Sequence, residues 1–441
     1  MLPLGSFLLR RVGWLGVISW LLLATACQSA ASFAPAKPTP TPLPRLGSAI
    51  IYTGLDYNVY AVGDGIRGVQ SLTSGGLRYT WPAMSPAGGQ VALSAFTDTS
   101  PFTPAGIYLT SLGSPLKEKL RSIYADPTEA GVALNPAIPH ELQWSPDGQS
   151  LAFLAWEPAG QALYVASAVP TGRDWQPRRV AAGQSIALAW SPDSRSLLVQ
   201  QNGELGRVDI PSLNRTALTT GAVAQSAPAW SPDGSRIAFV FRGRGSSNVL
   251  FTAQPDGSGR QTMATMRGVA HFLWSPQGDK IALGQSPETT DGLMQSLHIV
   301  DVASGEATTL ASGPVVAFFW SPDGSKLAYV TASSDGAALL WRVITIATGQ
   351  SADLSAFAPT GEELALLAAF DRYAAAYNPW SPDGSRLLFA GVLASADSPE
   401  GEASPSQNPG RASPRIYVAD AQGTTPPIAV ASGRLAVWGT R

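Results

Sequence analysis

Few residues in this chain could do chemistry. It holds three histidines, His140, His271 and His298, and one cysteine, Cys27. His140 and His271 lie just before two tryptophans, Trp144 and Trp274, and Glu141 and Tyr377 occupy near-equivalent places. Arg372 and Tyr373 stand close by in sequence. Imidazoles converging with a carboxylate would bind a metal or move protons. Three repeats of a common phrase separate His140 from His271, so convergence requires reach across a channel. His298 sits inside the strand-like run Leu297-His298-Ile299, where a structural role is expected. A lone cysteine excludes a disulfide scaffold and a multi-cysteine metal site. The expectation is no catalytic residue, no metal and no cofactor. His140, Glu141, His271, Arg372, Tyr373 and Tyr377 are taken as a candidate binding face, chosen by position and polarity.

The elements that position these residues come from the phrase itself. Trp144-Ser145-Pro146-Asp147-Gly148 recurs at Trp190, Trp230, Trp274, Trp320 and Trp380, after a degenerate copy at Met84-Ser85-Pro86-Ala87-Gly88. The spacings are 60, 46, 40, 44, 46 and 60 residues. Strand-like runs follow each copy, such as Leu151-Ala152-Phe153-Leu154 and Ala162-Leu163-Tyr164-Val165. Four strands per period of about 40–60 residues is a β-propeller blade pattern. Proline sets the first corner of a turn, aspartate tolerates the second, and glycine takes the left-handed position. Asp147, Asp193, Asp233, Asp323 and Asp383 are therefore read as turn residues. The tryptophans are plates packed between blades. Ser194 replaces the glycine in one copy, at about 1 kcal/mol if it stays left-handed. Gln277 and Ala87 replace the aspartate in two others, at little cost to the turn.

Composition agrees with a turn-rich all-β chain. There are 44 glycines and 36 prolines in 441 residues, and charged residues are 14%, against roughly 25% in ordinary soluble proteins. The net charge of −2 leaves no electrostatic footprint for nucleic acid.

Trp-Ser-Pro-Asp-Gly followed by an Ile-Ala-Phe-like strand resembles the WD-like repeats of TolB-type propellers, and of the propellers of prolyl-oligopeptidase-family peptidases. The resemblance covers about residues 46–441 and implies a single β-propeller of four-stranded blades. A peptidase would also need an α/β-hydrolase domain and a Gly-x-Ser-x-Gly elbow, and neither room nor motif is present. The last residues, Arg434-Leu435-Ala436-Val437-Trp438, repeat the approach to a motif tryptophan and then stop. They are expected to complete an N-terminal blade made of Ala49–Tyr52, Asn58–Val62 and Val69–Thr73. That count gives eight blades, or seven if the Met84 copy is not a true start.

Extra residues fall at 96–105, 125–139, 286–295, 356–377 and 394–413. All five lie in connections between second and third strands or between blades, which share one face of a propeller. That face is the expected binding surface; Ala168 to Pro177, on the other face, is the exception. Thr360-Gly361-Glu362-Glu363 has capping-box spacing and opens a helix over Leu364 to Ala376 with Leu364, Leu367 and Ala368 on one side. It is either a plug packed on the propeller or a lid over its channel.

The N-terminus carries an address. Arg10-Arg11 precede a 12-residue apolar run, Val12 to Leu23, too short for a bilayer span. Leu23-Ala24-Thr25-Ala26-Cys27 resembles the lipobox of bacterial lipoprotein signal peptides. This implies a signal peptide at 1–26, cleavage before Cys27 and a lipid on its thiol. An ordinary secretory signal with an incidental cysteine is the alternative. Residues 27–45 hold Pro35 to Pro44, an extended tether, which would hold the turn-bearing face toward the membrane. The expected function is a lipid-anchored, extracytoplasmic propeller that binds or scaffolds a protein, peptide or envelope glycan. The alternatives are a propeller enzyme (a polysaccharide lyase or hydrolase) and an accessory subunit of an export or signalling complex.

Overall fold

The computed structural model describes residues 46–439 except 47, 67, 98–105, 114–120, 126–140, 158–159, 169–176, 224–225, 246, 287–292, 334–337, 375 and 395–411. Cys27, the signal and tether, His140 and the interiors of four of the five insertions lie outside the described residues. No helix among the described residues is long and apolar enough to cross a membrane.

Antiparallel four-stranded sheets follow one another along the chain. One joins Leu77–Met84, Gln90–Thr97, Gly106–Ser111 and Arg121–Ala125; the next three repeat the pattern from Gln143–Trp144, Ile186–Trp190 and Ala229–Trp230. The ten strands from Ala270–Trp274 to Ile428–Ser432 form one continuous ladder. Continuity arises because Ala307–Trp320 ends one repeat and starts the next: its first half pairs with Met294–Asp301, its second with Lys326–Ala332. The N-terminal strands Ala49–Thr53, Val59–Gly63 and Val69–Ser71 lack a first strand of their own. Leu435–Trp438 supplies it, with Ile50 opposite Trp438 and Thr53 opposite Leu435.

The repeated turn is closed by its own side chains. Ser145 Oγ donates to Asp147 Oδ1 at 2.5 Å, and the same aspartate oxygen accepts Gln149 N at 3.0 Å. Ser231, Ser321 and Ser381 bond their aspartates at 2.6 Å. These hydroxyls hold Asp233 and Asp383 down to about 2, so the carboxylates stay ionised as hydrogen-bond acceptors. Where Gln277 replaces the aspartate, Ser275 Oγ turns to Asp279 instead, at 2.8 Å. Ser194 does keep the left-handed conformation, with φ +62°. Its hydroxyl accepts Asp147 N from the preceding turn at 3.0 Å, an interaction glycine cannot make.

The tryptophans do more than fill space. Each indole buried between sheets removes about 150–250 Å² from water, worth several kcal/mol at ~25 cal/mol/Å². In six of the seven, Trp274 being the exception, the Nε1–H also donates to the carbonyl just before the key residue of the preceding repeat, that is, its motif tryptophan or, in the degenerate copy, Met84. Trp144 bonds Ala83 O at 2.9 Å, Trp190 bonds Gln143 O at 3.1 Å, and Trp230 bonds Ala189 O at 3.2 Å. Trp320, Trp380 and Trp438 do the same to Leu273, Phe319 and Pro379 at 3.2, 3.0 and 2.8 Å.

The insertion at 356–377 interrupts a first strand. Phe357 to Pro359 pair with the far end of Arg386–Leu393, Trp380 bridges Leu387 at the near end, and two helices fill the gap. They are α1 (Gly361–Ala368) and α2 (Phe370–Tyr373). Thr360 caps α1 as its sequence asks, its hydroxyl accepting Glu363 N at 3.0 Å. The rest differs from expectation. The helix breaks at Ala369, and its inward face is Glu363, Leu366, Leu367 and Phe370; Leu364 is 47% exposed. The cause is the cap: Thr360 is tied to Arg434 O through its hydroxyl (2.5 Å) and to Ala390 O through its backbone N–H (3.3 Å). This fixes the rotation of the first turn and points Glu363 inward. Burial pushes Glu363 up to about 8, opposed only by a backbone hydrogen bond from Ala390.

Two outcomes follow. A Cβ at Gly148 would lie 2.6 Å from Ser85 Oγ and 2.7 Å from Ala87 Cβ, whereas at Gly234 the nearest atom is Pro192 Cδ at 3.6 Å. Both glycines are left-handed, with φ +68° and +72°. Alanine at either should cost about 1–2 kcal/mol for the conformation, and Gly148→Ala a further ~1–3 kcal/mol for the clash. Urea unfolding measures both; equal losses would mean the turns do not pack on one another. Glu363 is raised in the folded chain, so its stabilisation is complete below the ordinary glutamate range and is lost as pH rises toward 8. The slope is on the order of 1.4 kcal/mol per pH unit in that window. Glu363→Gln should flatten that part of the stability–pH curve, and an unchanged slope would show the carboxyl is hydrated.

Candidate functional site

The candidate residues gather where the first strands of several repeats meet α2. The position three residues before each key residue is occupied by Trp81, Glu141, Ala227, His271 and Tyr377 in five repeats, and all five reach the helix pair. Arg372 Nη1 lies 3.9 Å from Glu141 Oε2, and the Arg372 carbonyl accepts Gln143 Nε2 at 2.9 Å. On the neighbouring residue of α2, Asp371 Oδ2 meets His271 Nδ1 at 3.0 Å and accepts Ala227 N at 3.3 Å. Phe370 packs edge-on against Phe318, with ring centroids 4.6 Å apart. Tyr373 stacks on Trp81 at 5.9 Å, and Tyr377 meets both rings edge-on.

Consecutive residues of α2 thus make ion pairs of opposite polarity with two different repeats. Burial raises Glu141 to about 7; Arg372 pulls it down and Asp371 pushes it up. Burial alone would lower His271, but the Asp371 carboxylate more than offsets it, so the imidazole holds its proton more tightly than usual. Burial would raise Asp371, and the His271 imidazolium and the Ala227 N–H keep it below the ordinary aspartate value. Tyr373 and Tyr377 are displaced well upward by burial and stay neutral.

Two of these contacts carry backbone strain. Trp81 has φ +53° and Glu141 φ +42°, a region costing on the order of 1–3 kcal/mol for such residues. Both are nearly buried and both face α2. The strain turns Trp81, within a strand, and Glu141, just before one, toward the helix pair, and the stacking and the ion pair offset it.

Of the sequence candidates, Glu141, His271, Arg372, Tyr373 and Tyr377 come together. Glu141, Tyr373 and Tyr377 are buried against one another's elements; His271 and Arg372 keep 17% and 24% side-chain exposure. His140 lies outside the described residues. His298 is elsewhere, bonded to Ser296 Oγ at 2.9 Å and Thr309 Oγ1 at 3.2 Å, with its pKa lowered by burial. Sequence reading missed Asp371 and Trp81. Trp81 was within reach, since it holds the same register before Met84 that His271 holds before Trp274; Asp371 had no such signal. Among the described residues, no three or more His, Cys, Asp or Glu side chains group to hold a metal ion. The arrangement offers ion pairs and stacked rings that join α2 to these repeats.

Residues 135–315 match the family model of the TolB beta propeller domain. Among solved structures, TolB from Acinetobacter baumannii is similar at 17% identity over 80% of this chain and 83% of that one, with a TM-score of 0.40. An oligogalacturonate lyase from Vibrio parahaemolyticus is similar at 12% identity over 78% and 86%, with a TM-score of 0.46. Four of the tryptophan turns lie within the 135–315 segment that matches the TolB beta propeller domain.

Proposed function

We propose that the chain is an eight-bladed propeller, closed by its C-terminal strand and stoppered by α1 and α2. In this reading it works outside the cytoplasm as a lipid-anchored, non-catalytic binding or scaffold module. The observation that carries it is the convergence of separate repeats on the four-residue α2, through Trp81, Glu141, Ala227, His271 and Phe318. A helix this short touches five repeats only if they surround it. The polar groups those repeats turn inward are engaged in holding the stopper, which favours a rigid scaffold over an acid–base site. Pairing of Leu435–Trp438 with Ala49–Thr53 supports closure of the ring. Connections on such a scaffold are where a protein, peptide or glycan partner would dock. The lipid reading rests on the Leu23-Ala24-Thr25-Ala26-Cys27 sequence.

Full-length protein should partition with membranes, and Cys27→Ser should release it or block its processing. A processed Cys27→Ser protein retained in membranes would overturn the anchor. Deleting 434–441 should lower the melting temperature sharply, because loss of a large buried aromatic such as Trp438 alone costs roughly 3–5 kcal/mol. An unchanged melting temperature would overturn the closure. Stoichiometric metal in purified protein would turn the reading toward an enzyme.

A further inference from the structure

The tryptophan bonds divide the repeats into two sets. One runs from Met84 through Trp144 and Trp190 to Trp230, joined by the bonds to Ala83, Gln143 and Ala189. The other runs from Trp274 through Trp320 and Trp380 to Trp438, joined by the bonds to Leu273, Phe319 and Pro379. Two junctions have no such bond. Trp274 Nε1 is buried and has no hydrogen-bond partner among the described residues. At the other junction the key residue is Met84, which has no indole to donate.

We propose that the ring is two arcs of four repeats each, meeting at two seams, and that Asp371 is the clasp across the seam between Trp230 and Trp274. This rests on the closed-ring reading above. The Asp371 carboxylate accepts Ala227 N from the last repeat of one arc and bonds His271 from the first repeat of the other. These two residues stand at the same register, three before Trp230 and three before Trp274. The clasp therefore bridges the one pair of tryptophan repeats whose staple is missing. Among the described residues, a Ser226 hydroxyl donating to the Ala270 carbonyl also crosses this seam, as does an apolar cluster including Ala238, Val240, Met263 and Met266 on one side and Phe272, Trp274 and Ile281 on the other.

The second seam has its own fastening. Tyr57, beside the closing strand, lies between the guanidinium groups of Arg78 at 4.5 Å and Arg434 at 4.3 Å. Tyr57 O also accepts Tyr79 N from the neighbouring arc at 2.8 Å. Arg434 in turn reaches Glu362 of α1 at 3.5 Å. The helix pair thus contacts the fastenings of both seams, and an event that moves it would loosen both. Opening at the seam breaks the Ser226–Ala270 bond and one arm of the clasp; opening at the Trp144–Trp190 junction breaks the staple together with the bonds from Asp147 N to Ser194 Oγ and from Ile186 N to Gln161 Oε1, at least one bond more. One net hydrogen bond corresponds to about a tenfold difference in an opening equilibrium.

Matched thiol probes test this. The residue eight after the key residue is a fully buried alanine in both Ala152 and Ala238. Ala152 packs toward Trp190 across a stapled junction, and Ala238 packs toward Trp274 across the seam. Ala152→Cys and Ala238→Cys are made separately in full-length protein carrying Cys27→Ser, so that the introduced thiol is unique. The readout is the rate of labelling by a small disulfide reagent under native conditions. Ala238→Cys should label about tenfold faster or more than Ala152→Cys. Adding Asp371→Asn should accelerate Ala238→Cys and leave Ala152→Cys unchanged. Equal rates for the two alanine sites, or equal acceleration of both, would overturn the proposal. Met84→Trp, supplying an indole at the second seam, should slow labelling of Ile51→Cys, and no slowing would count against the arcs. The closure itself is read separately, from the melting temperature of the 434–441 deletion, so a failed clasp and a failed ring give different results.

Discussion

The structure depends on one recurring interaction: an indole buried between two sheets, with its N–H bonded to a backbone carbonyl of the sheet before it. The two parts of that interaction differ in kind. Burial of the ring supplies most of the energy and is non-directional. The hydrogen bond adds only about 1 kcal/mol, but it has direction and a single acceptor. It sets where each sheet sits against its neighbour, and through that the angle the repeats accumulate. The Ser-Pro-Asp-Gly turn that follows each tryptophan holds the start of the next strand in register. A serine hydroxyl and an aspartate carboxylate satisfy one another and the turn's backbone together, as at Ser145, Asp147 and Gln149.

Regular repeats leave their first strands with side chains turned inward, and α1 and α2 answer that exposure. The helix pair is inserted into a first strand, between Pro359 and Trp380, and so it is delivered to the place where other first strands meet. Opposite charges on adjacent residues, Asp371 and Arg372, fix its rotation, since one must face His271 and the other Glu141. Apolar contact alone would leave a four-residue helix free to slide. The uncommon backbone angles at Trp81 and Glu141 are the visible cost of fitting these residues to it.

The polar groups around the helix pair and in the turns are largely engaged with one another. Titratable groups near α2 are partnered with one another, and the turn aspartates are partnered with serines. In the proposed scaffold reading, recognition would fall to the connections between strands. A fold of this kind hosts many functions and by itself names no partner.

Much was legible from residue order alone. Seven copies of a turn with its strand-like neighbours dictate four-stranded antiparallel units, because proline, aspartate and glycine impose local dihedral angles that need no distant partner. Thr360 and Glu363 announce a helix start for the same local reason. The completion of the first sheet by Leu435–Trp438 was legible too, since an unpaired strand and a strand-like end must find each other. What the order could not contain were consequences of distance. Which face of α1 turns inward follows from Thr360 meeting Arg434, 74 residues away. That Asp371 serves Ala227 and His271, 144 and 100 residues away, follows from how the repeats surround α2. Burial, and with it the raised carboxyls of Glu141 and Glu363, exists only once those surfaces close over each other.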